Sequence, residues 1–112
     1  MTPLVQVDVE AEMLRLFTEL EDQVELFSQV SEQRAEAEAN YKHQYSTALL
    51  QQQGKVTVST REAVAHLRAS KAFQEFRILE AREKATQQAL IGIRCRLDSL
   101  RTIAANVRAA GG

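Results

Sequence analysis

The sequence contains few residues that interrupt a helix, with only four glycines and one proline in 112 residues. Most of these lie at the chain ends or at mid-chain, namely Pro3, Gly54, Gly111 and Gly112. Gly92 is the one breaker inside a long helical pattern. Alanine, glutamate, glutamine, leucine and arginine, which all favour helices, fill much of the rest. This composition predicts long helices.

The chain also lacks a second cysteine and any long apolar run. Cys95 is the sole cysteine, so an intrachain disulfide and a zinc site built mainly on thiolates are excluded, and an intermolecular disulfide is the remaining alternative. No stretch of about 18 apolar residues is present, and the start lacks the pattern of a signal peptide. We therefore expect a cytoplasmic protein without membrane contact.

Charge is divided unevenly along the chain although the net charge is −1. Residues 1–40 contain two Lys/Arg against ten Asp/Glu, a net charge of −8. Residues 41–112 contain twelve Lys/Arg against five Asp/Glu, a net charge of +7. The chain is therefore a charge dipole along its sequence.

Both halves show a coiled-coil pattern of apolar residues spaced alternately three and four apart. The pattern predicts helix one over 9–52 and helix two over 60–110. Phe17, Val24 and Tyr45, at neighbouring positions, make the buried stripe of helix one wider than one partner helix needs. We therefore expect self-association. The predicted oligomer interface consists of Leu16, Phe17, Leu20, Val24, Phe27, Leu90, Ile93, Leu97 and Leu100.

The stretch QQQGKVTVSTRE at 51–62 is where the helical pattern stops and restarts. Gly54 is a natural C-cap for helix one, and Ser59 followed by Glu62 forms a capping box that starts helix two near Thr60. A turn as short as 53–59 forces antiparallel neighbours. The predicted fold is a single all-α domain, 1–112: an arm at 1–8 and a long, coiled-coil-like antiparallel two-helix hairpin that forms a helical oligomer.

Two short segments also alternate as strands do, LVQVDV at 4–9 and KVTVS at 55–59. The alternatives for them are pairing between subunits, or a frayed arm and a plain loop. Positions beside the seam predict an ion pair between the helices, Glu19 with Arg96. Glu83, at a seam position opposite the Arg34 region, predicts a buried or half-buried pair that fixes the register.

Positive charge and aromatic rings coincide near the predicted turn. Residues 41–77 carry a net charge of +4 and contain four of the six aromatic residues. Cations that follow phosphates and rings that stack on bases are the elements of a single-stranded nucleic-acid site. The candidate nucleic-acid-binding residues are Lys42, Lys55, Arg61, Arg68, Lys71, Tyr45 and Phe73. The alternative is that the rings simply pack against each other.

No residue pattern indicates catalysis. A nucleophile, a base and an oxyanion donor would have to converge in a pocket, which two helices do not build. His43 and His66, with Glu62 one turn before His66, are too few to indicate a metal. We therefore expect no enzyme activity, no cofactor and no metal.

The segment EAEANYKHQYSTALLQQQGKVTVSTREAVA and the ending RTIAANVRAAGG resemble short all-helical phage proteins encoded near recombination and single-strand annealing genes. The layout is also similar to UvsY-type recombination mediators, small helical proteins that oligomerise and handle single-stranded DNA while loading a recombinase. The resemblance covers about residues 35–110. It implies a ring or bundle in the bacterial host cytoplasm, with Lys42, Arg61, Arg68 and Lys71 as first positions to test.

Two functions therefore remain open. The first is a phage-type accessory protein of DNA recombination or replication, an oligomer that contacts single-stranded DNA, a recombinase, or both. The second is a coiled-coil adaptor or inhibitor that docks on a protein through its acidic first helix. The near-neutral total charge weighs against strong DNA binding, although a local cationic patch can suffice.

Overall fold

The computed structural model describes residues 6–111. These residues form three helices, α1 (Gln6–Leu50), α2 (Val58–Arg68) and α3 (Ser70–Ala110), and the described part of the chain contains no strand. The prediction of an all-α protein is confirmed. No helix in this part is long and apolar enough to cross a membrane.

Helix α1 begins at Gln6, three residues earlier than predicted. Residues 6–9 of the possible strand are helical, and residues 4 and 5 lie outside the described range. Val9 is buried while Val7 is 73% exposed, as expected for residues two apart on a helix, about 200° around its axis. Neither a strand nor a frayed arm is therefore found over 6–8.

The connection after α1 differs from the prediction at both ends. Helix α1 ends at Leu50 rather than at 52, so Gly54 lies four residues beyond it and is not its C-cap. Gly54 has φ +90, a left-handed conformation that glycine adopts without strain. Thr57, not Ser59, caps α2, because its hydroxyl accepts a hydrogen bond from the Thr60 amide at 3.2 Å. The helix thereby starts two residues earlier than a Ser59 cap would allow. The KVTVS segment consequently forms no strand, and its last two residues belong to α2.

The predicted second helix over 60–110 is divided at Ala69 into α2 and α3. Ala69 has φ −94 and ψ 6, and its amide donates to the Ala65 carbonyl at 2.9 Å. The Phe73 amide donates to the Ala69 carbonyl, also at 2.9 Å. Helical hydrogen bonds therefore continue on both sides of one irregular residue. Since alanine is the strongest helix former, nothing in the local sequence predicts this break.

The chain forms two compact units. Unit 1 comprises the described residues up to Phe27 and from Ala85 onward. Its core consists of Leu16, Ile93 and Leu97, against which Met13, Leu20 and Leu100 pack. Leu16, Leu90, Ile93 and Leu97 were placed in the predicted oligomer interface, but this chain itself buries them. Leu16 of α1 packs with Ile93 and Leu97 of α3. They are therefore core residues, and only the exposed members of that set can meet another subunit.

Unit 2 comprises Ser28–Lys84. Contacts within it join Arg34 to Glu83, Tyr41 to Phe73, and Tyr45 to His66. Because the partner numbers fall as the α1 numbers rise, α1 is antiparallel to α2 and α3 within this unit. The buried positions of the unit are mostly alanines: Ala48, Ala65, Ala69 and Ala72 are each at most 4% exposed. Small side chains allow helix backbones to approach closely, so this seam has little room for a larger residue.

We expect Ala65→Leu to destabilise the protein by about 1–3 kcal/mol, because the added atoms overpack a fully buried position. Ala65 is 0% exposed. Ala63→Leu, the same change at an exposed position of α2, is the matched control and should change stability by less than about 0.5 kcal/mol. Urea unfolding followed by circular dichroism measures both. Equal effects of the two substitutions would show that the alanine seam is not tightly packed.

Candidate nucleic-acid interface

All seven predicted nucleic-acid-binding residues lie in unit 2. The structure does not gather them into one surface. The cations Arg68 and Lys71 lie on one side of the seam, the rings of Tyr45 and Phe73 lie on the other, and the remaining cations lie elsewhere in the unit.

Arg68 and Lys71 flank the break at Ala69, and both line hollows against α1. The first hollow, of about 290 Å³, includes Arg68, and the second, of about 190 Å³, includes Lys71; Gln44 lines both. We call these adjoining hollows the amide groove. The other side of the groove is a row of uncharged polar side chains: Asn40, Gln44 and Thr47 of α1, and Gln51 directly after its end. His43 also lines the first hollow, and Glu75 the second.

The rings form a separate aromatic cluster, defined as Tyr41, Tyr45, His66, Phe73 and Phe76. The centroid of Tyr41 lies 5.0 Å from that of Phe73, and the Tyr45 centroid lies 4.9 Å from that of His66. Tyr41 also stacks on Phe76 at 6.2 Å. These are the distances of favourable ring pairs, so the cluster contributes packing energy within the chain.

Helix geometry separates the cluster from the amide groove. His66 and Arg68 are two residues apart in α2, and Lys71 and Phe73 are two residues apart in α3, so each pair points about 200° apart. Neither Tyr45 nor Phe73 lines either hollow. The structure therefore brings Arg68 and Lys71 together and keeps both rings away from them.

The other three predicted cations differ in their surroundings. Lys42 pairs with Glu38 at 3.1 Å. Lys55 is exposed in the connection between α1 and α2. Arg61 is half-buried near the start of α2, where its carbonyl accepts a hydrogen bond from the Gln52 side chain at 2.7 Å. The Nε of Arg61 is buried and has no acceptor in the described part of the chain.

The half-buried pair of Arg34 and Glu83 is confirmed, with Nε of Arg34 donating to the Glu83 carboxylate at 3.1 Å. Arg34 also donates to Glu38 at 2.7 Å. The hydrogen bonds to Glu83 and then to Glu38 raise the pKa of Arg34. Hydrogen bonds from Lys42 and then from Arg34 lower the pKa of Glu38. Glu38 therefore links Lys42 to Arg34 on α1, and Arg34 in turn binds Glu83 on α3.

The predicted pair of Glu19 with Arg96 is wrong. In unit 1, Glu19 accepts a hydrogen bond from Arg15 at 3.3 Å, and Arg15 also binds Glu12. The hydrogen bond from Arg15 lowers the pKa of Glu12, with a smaller contribution from the charge of Arg96. Arg15, one turn before Glu19 on the same helix, therefore takes the place predicted for Arg96. Ion pairs spaced three or four apart on one helix form without the ordering of a second helix.

The polar row on α1 was missed from the sequence. Asn40, Gln44, Thr47 and Gln51 follow one another at spacings of four, three and four, a pattern that places them on one side of a helix. The periodicity is visible in the sequence, but each residue type is ordinary on an exposed helix. Only the position of Arg68 and Lys71 opposite the row indicates a groove.

The other candidate groups do not form a site. No group of three His, Cys, Asp or Glu that could hold a metal ion occurs within residues 6–111. His66 lies in the aromatic cluster, whereas His43 lines the amide groove. Cys95 is exposed on α3.

Comparison with known proteins finds no match to a protein-family model, to a curated protein or to a solved structure.

The lowered pKa of Glu38 predicts a pH dependence of stability. A carboxylate whose pKa is lower in the folded state stabilises the protein above its ordinary pKa of 4.5, and that contribution is lost as the pH falls through the folded-state value. Glu38→Gln should therefore unfold more easily than the wild type at pH 7 and lose less stability on going to pH 3.

Urea unfolding at a series of pH values measures this difference. Glu36→Gln is the matched control, because Glu36 is exposed on the same helix and has no ion pair among the described residues. It should retain the acid sensitivity of the wild type. If Glu38→Gln loses as much stability as the wild type between pH 7 and pH 3, the network around Glu38 does not stabilise the fold.

Proposed function

We propose that the protein is a non-enzymatic accessory factor of phage-type DNA recombination or replication. In this proposal the chain is an antiparallel helical hairpin that self-associates in the cytoplasm and contacts single-stranded DNA, a recombinase, or both. One observation carries the DNA part. Lys55, Arg61, Arg68 and Lys71 have no carboxylate within ion-pair distance among residues 6–111.

Three other cations of unit 2 are neutralised locally, whereas Lys84, at the end of the unit, has no ion pair among residues 6–111 and serves below as a control. Arg34 and Lys42 bind Glu38, and Arg77 binds Glu80 at 3.2 Å. A cation without a carboxylate is free to replace the counterions of a phosphate. Since the whole chain carries a net charge of −1, long-range attraction to DNA is weak. Binding would depend on these local cations and would weaken as salt rises.

Exposed apolar residues on α1 support self-association. Val7, Leu14, Phe17 and Val24 are 73%, 69%, 37% and 47% exposed. We call them the second stripe, because their spacings of seven, three and seven place them along one side of α1. Leu14 is two residues from the core residue Leu16, so the stripe points away from the core of unit 1. A row of heptad-spaced apolar residues exposed on a helix is typical of a helix–helix interface.

We expect Leu14→Glu to weaken self-association at least about tenfold, because an unpaired carboxylate would be buried in the interface. The matched control is Leu26→Glu, since Leu26 is 42% exposed on the same helix but two residues from Val24, on another side of it. Light scattering over a range of concentrations measures the mass, which for one chain is 12.6 kDa. A wild-type protein that stays a monomer throughout would rule out this part of the proposal.

We expect the protein to bind a labelled single strand of about 30 nucleotides at low salt and to release it at moderate salt. Arg61→Glu combined with Arg68→Glu should abolish binding, because two free cations become anions. The matched control reverses two exposed cations outside the predicted site, Lys84→Glu and Arg94→Glu, and should retain most of the binding. Anisotropy of the labelled strand and light scattering of the complex are the measurements. An oligomer that does not bind the strand at either salt concentration would contradict the DNA function.

The adaptor or inhibitor function is the second candidate. It is favoured by the acidic residues Glu10 and Glu21, which fall within the heptad positions of the second stripe. Such a surface fits a basic amphipathic helix of a protein partner. In that case the reversal of Arg61 and Arg68 would leave partner binding intact, whereas Leu14→Glu would reduce it.

A further inference from the structure

We infer that the amide groove binds the sugar–phosphate backbone of the strand and that the aromatic cluster takes no part in stacking the bases. The inference rests on the proposed function and deepens it, because it names the part of the nucleic acid that is recognised. A protein of this kind would bind a phosphodiester chain whatever its bases, including a chain with none.

The groove has the donors that a phosphate backbone requires. Arg68 and Lys71 are exposed cations on one wall, and Gln44 on the other wall lines both hollows. Arginine and lysine bind phosphate oxygens directly, and side-chain amides and hydroxyls donate to the same oxygens. The α1 wall from Asn40 to Gln51 extends about 16 Å along the helix axis. The groove therefore offers polar contacts to a short tract of backbone rather than to one phosphate.

Glu75 opposes this role, since it lines the second hollow together with Lys71. Lys71 and Glu75 are spaced four apart on α3, but no ion pair joins them within 4.0 Å. The carboxylate lowers the positive potential of the groove without holding the lysine in place. Its removal should consequently strengthen binding, which distinguishes this groove from cations elsewhere on the surface.

The rings of Tyr45 and Phe73 already have partners within the chain. Tyr45 is half-buried against His66, and Phe73 lies between Tyr41 at 5.0 Å and Phe76 at 6.5 Å. Arg77 lies over the ring of Phe73, with its guanidinium carbon 6.0 Å from the centroid. Phe73 is 41% exposed, but it is two residues from Lys71 on α3, about 200° around the helix axis. A strand in the amide groove would therefore present its bases away from these rings.

The test compares two probes on the wild-type protein: a labelled thymidine 30-mer, and an abasic phosphodiester of equal length whose nucleosides are all replaced by tetrahydrofuran. With backbone recognition, the two dissociation constants should agree within about threefold. With base stacking, the abasic chain should bind more weakly by more than about tenfold. This comparison needs no variant, so it does not depend on whether a substituted protein folds.

Substitutions then locate the site. Arg68→Ala and Lys71→Ala should each weaken both probes and reduce the slope of log affinity against log salt by about 0.7, the value for one phosphate contact on a single strand. Lys84→Ala is the matched control, because Lys84 is exposed and lies about 20 Å further along α3. Glu75→Gln should increase the affinity for both probes. Phe73→Leu and Tyr45→Leu should change binding by less than about twofold, with folding checked by circular dichroism.

The outcomes separate this inference from the proposed function. If neither probe binds, the DNA function itself fails, and the inference fails with it. If the thymidine strand binds but the abasic chain is weaker by more than about tenfold, or if Phe73→Leu abolishes binding, the DNA function stands and backbone recognition is wrong. If both probes bind and neither Arg68→Ala nor Lys71→Ala changes the salt dependence relative to Lys84→Ala, the groove is not the site.

Discussion

Close helix packing through alanine is the constraint on which the arrangement of unit 2 depends. Ala48, Ala65, Ala69 and Ala72 are almost inaccessible, although alanine has the smallest apolar side chain. Such a seam contributes little hydrophobic free energy per residue, so its value is geometric: it sets how near α1 lies to α2 and α3. With the helices close, longer side chains at the edges of the seam meet across it. The rings do so on one edge, and the amides, Arg68 and Lys71 do so on the other.

The break at Ala69 adds to this arrangement. Arg68 and Ser70 belong to different helices, yet hydrogen bonds from Ala69 to Ala65 and from Phe73 to Ala69 keep the chain helical on both sides. The residues on either side of the break, Arg68 and Lys71, both face α1. Neither side chain has a carboxylate partner among residues 6–111, and both are exposed in the polar groove. The same constraint that packs the seam therefore leaves two cations beside a row of amides.

The features that depend on the spacing of apolar residues could be predicted from the sequence. Those that depend on a choice between two suitable neighbouring residues, or on tertiary packing, could not. The heptad spacing gave the two long helical regions, and the half-buried pair of Arg34 with Glu83 followed from its register. Capping was wrong because Thr57 and Ser59 both have a suitable hydroxyl, and the choice depends on how far α2 can extend. The position of Ala69 could not be predicted, because local propensity favours a continuous helix there. Of the candidate site, the cations were identified, but the amide row was not.

The two proposed properties, self-association and DNA contact, depend on each other. The amide groove of one chain presents two cations, Arg68 and Lys71, and each phosphate contact with a single strand contributes only about 0.7 to the salt dependence. Affinity from one groove would therefore be low at moderate salt. Several copies held together would place several grooves along one strand, and after the first contact the others bind at a high effective concentration. Apolar residues exposed on α1, such as Leu14 and Val24, would on this view be required for DNA binding even though they contact no phosphate.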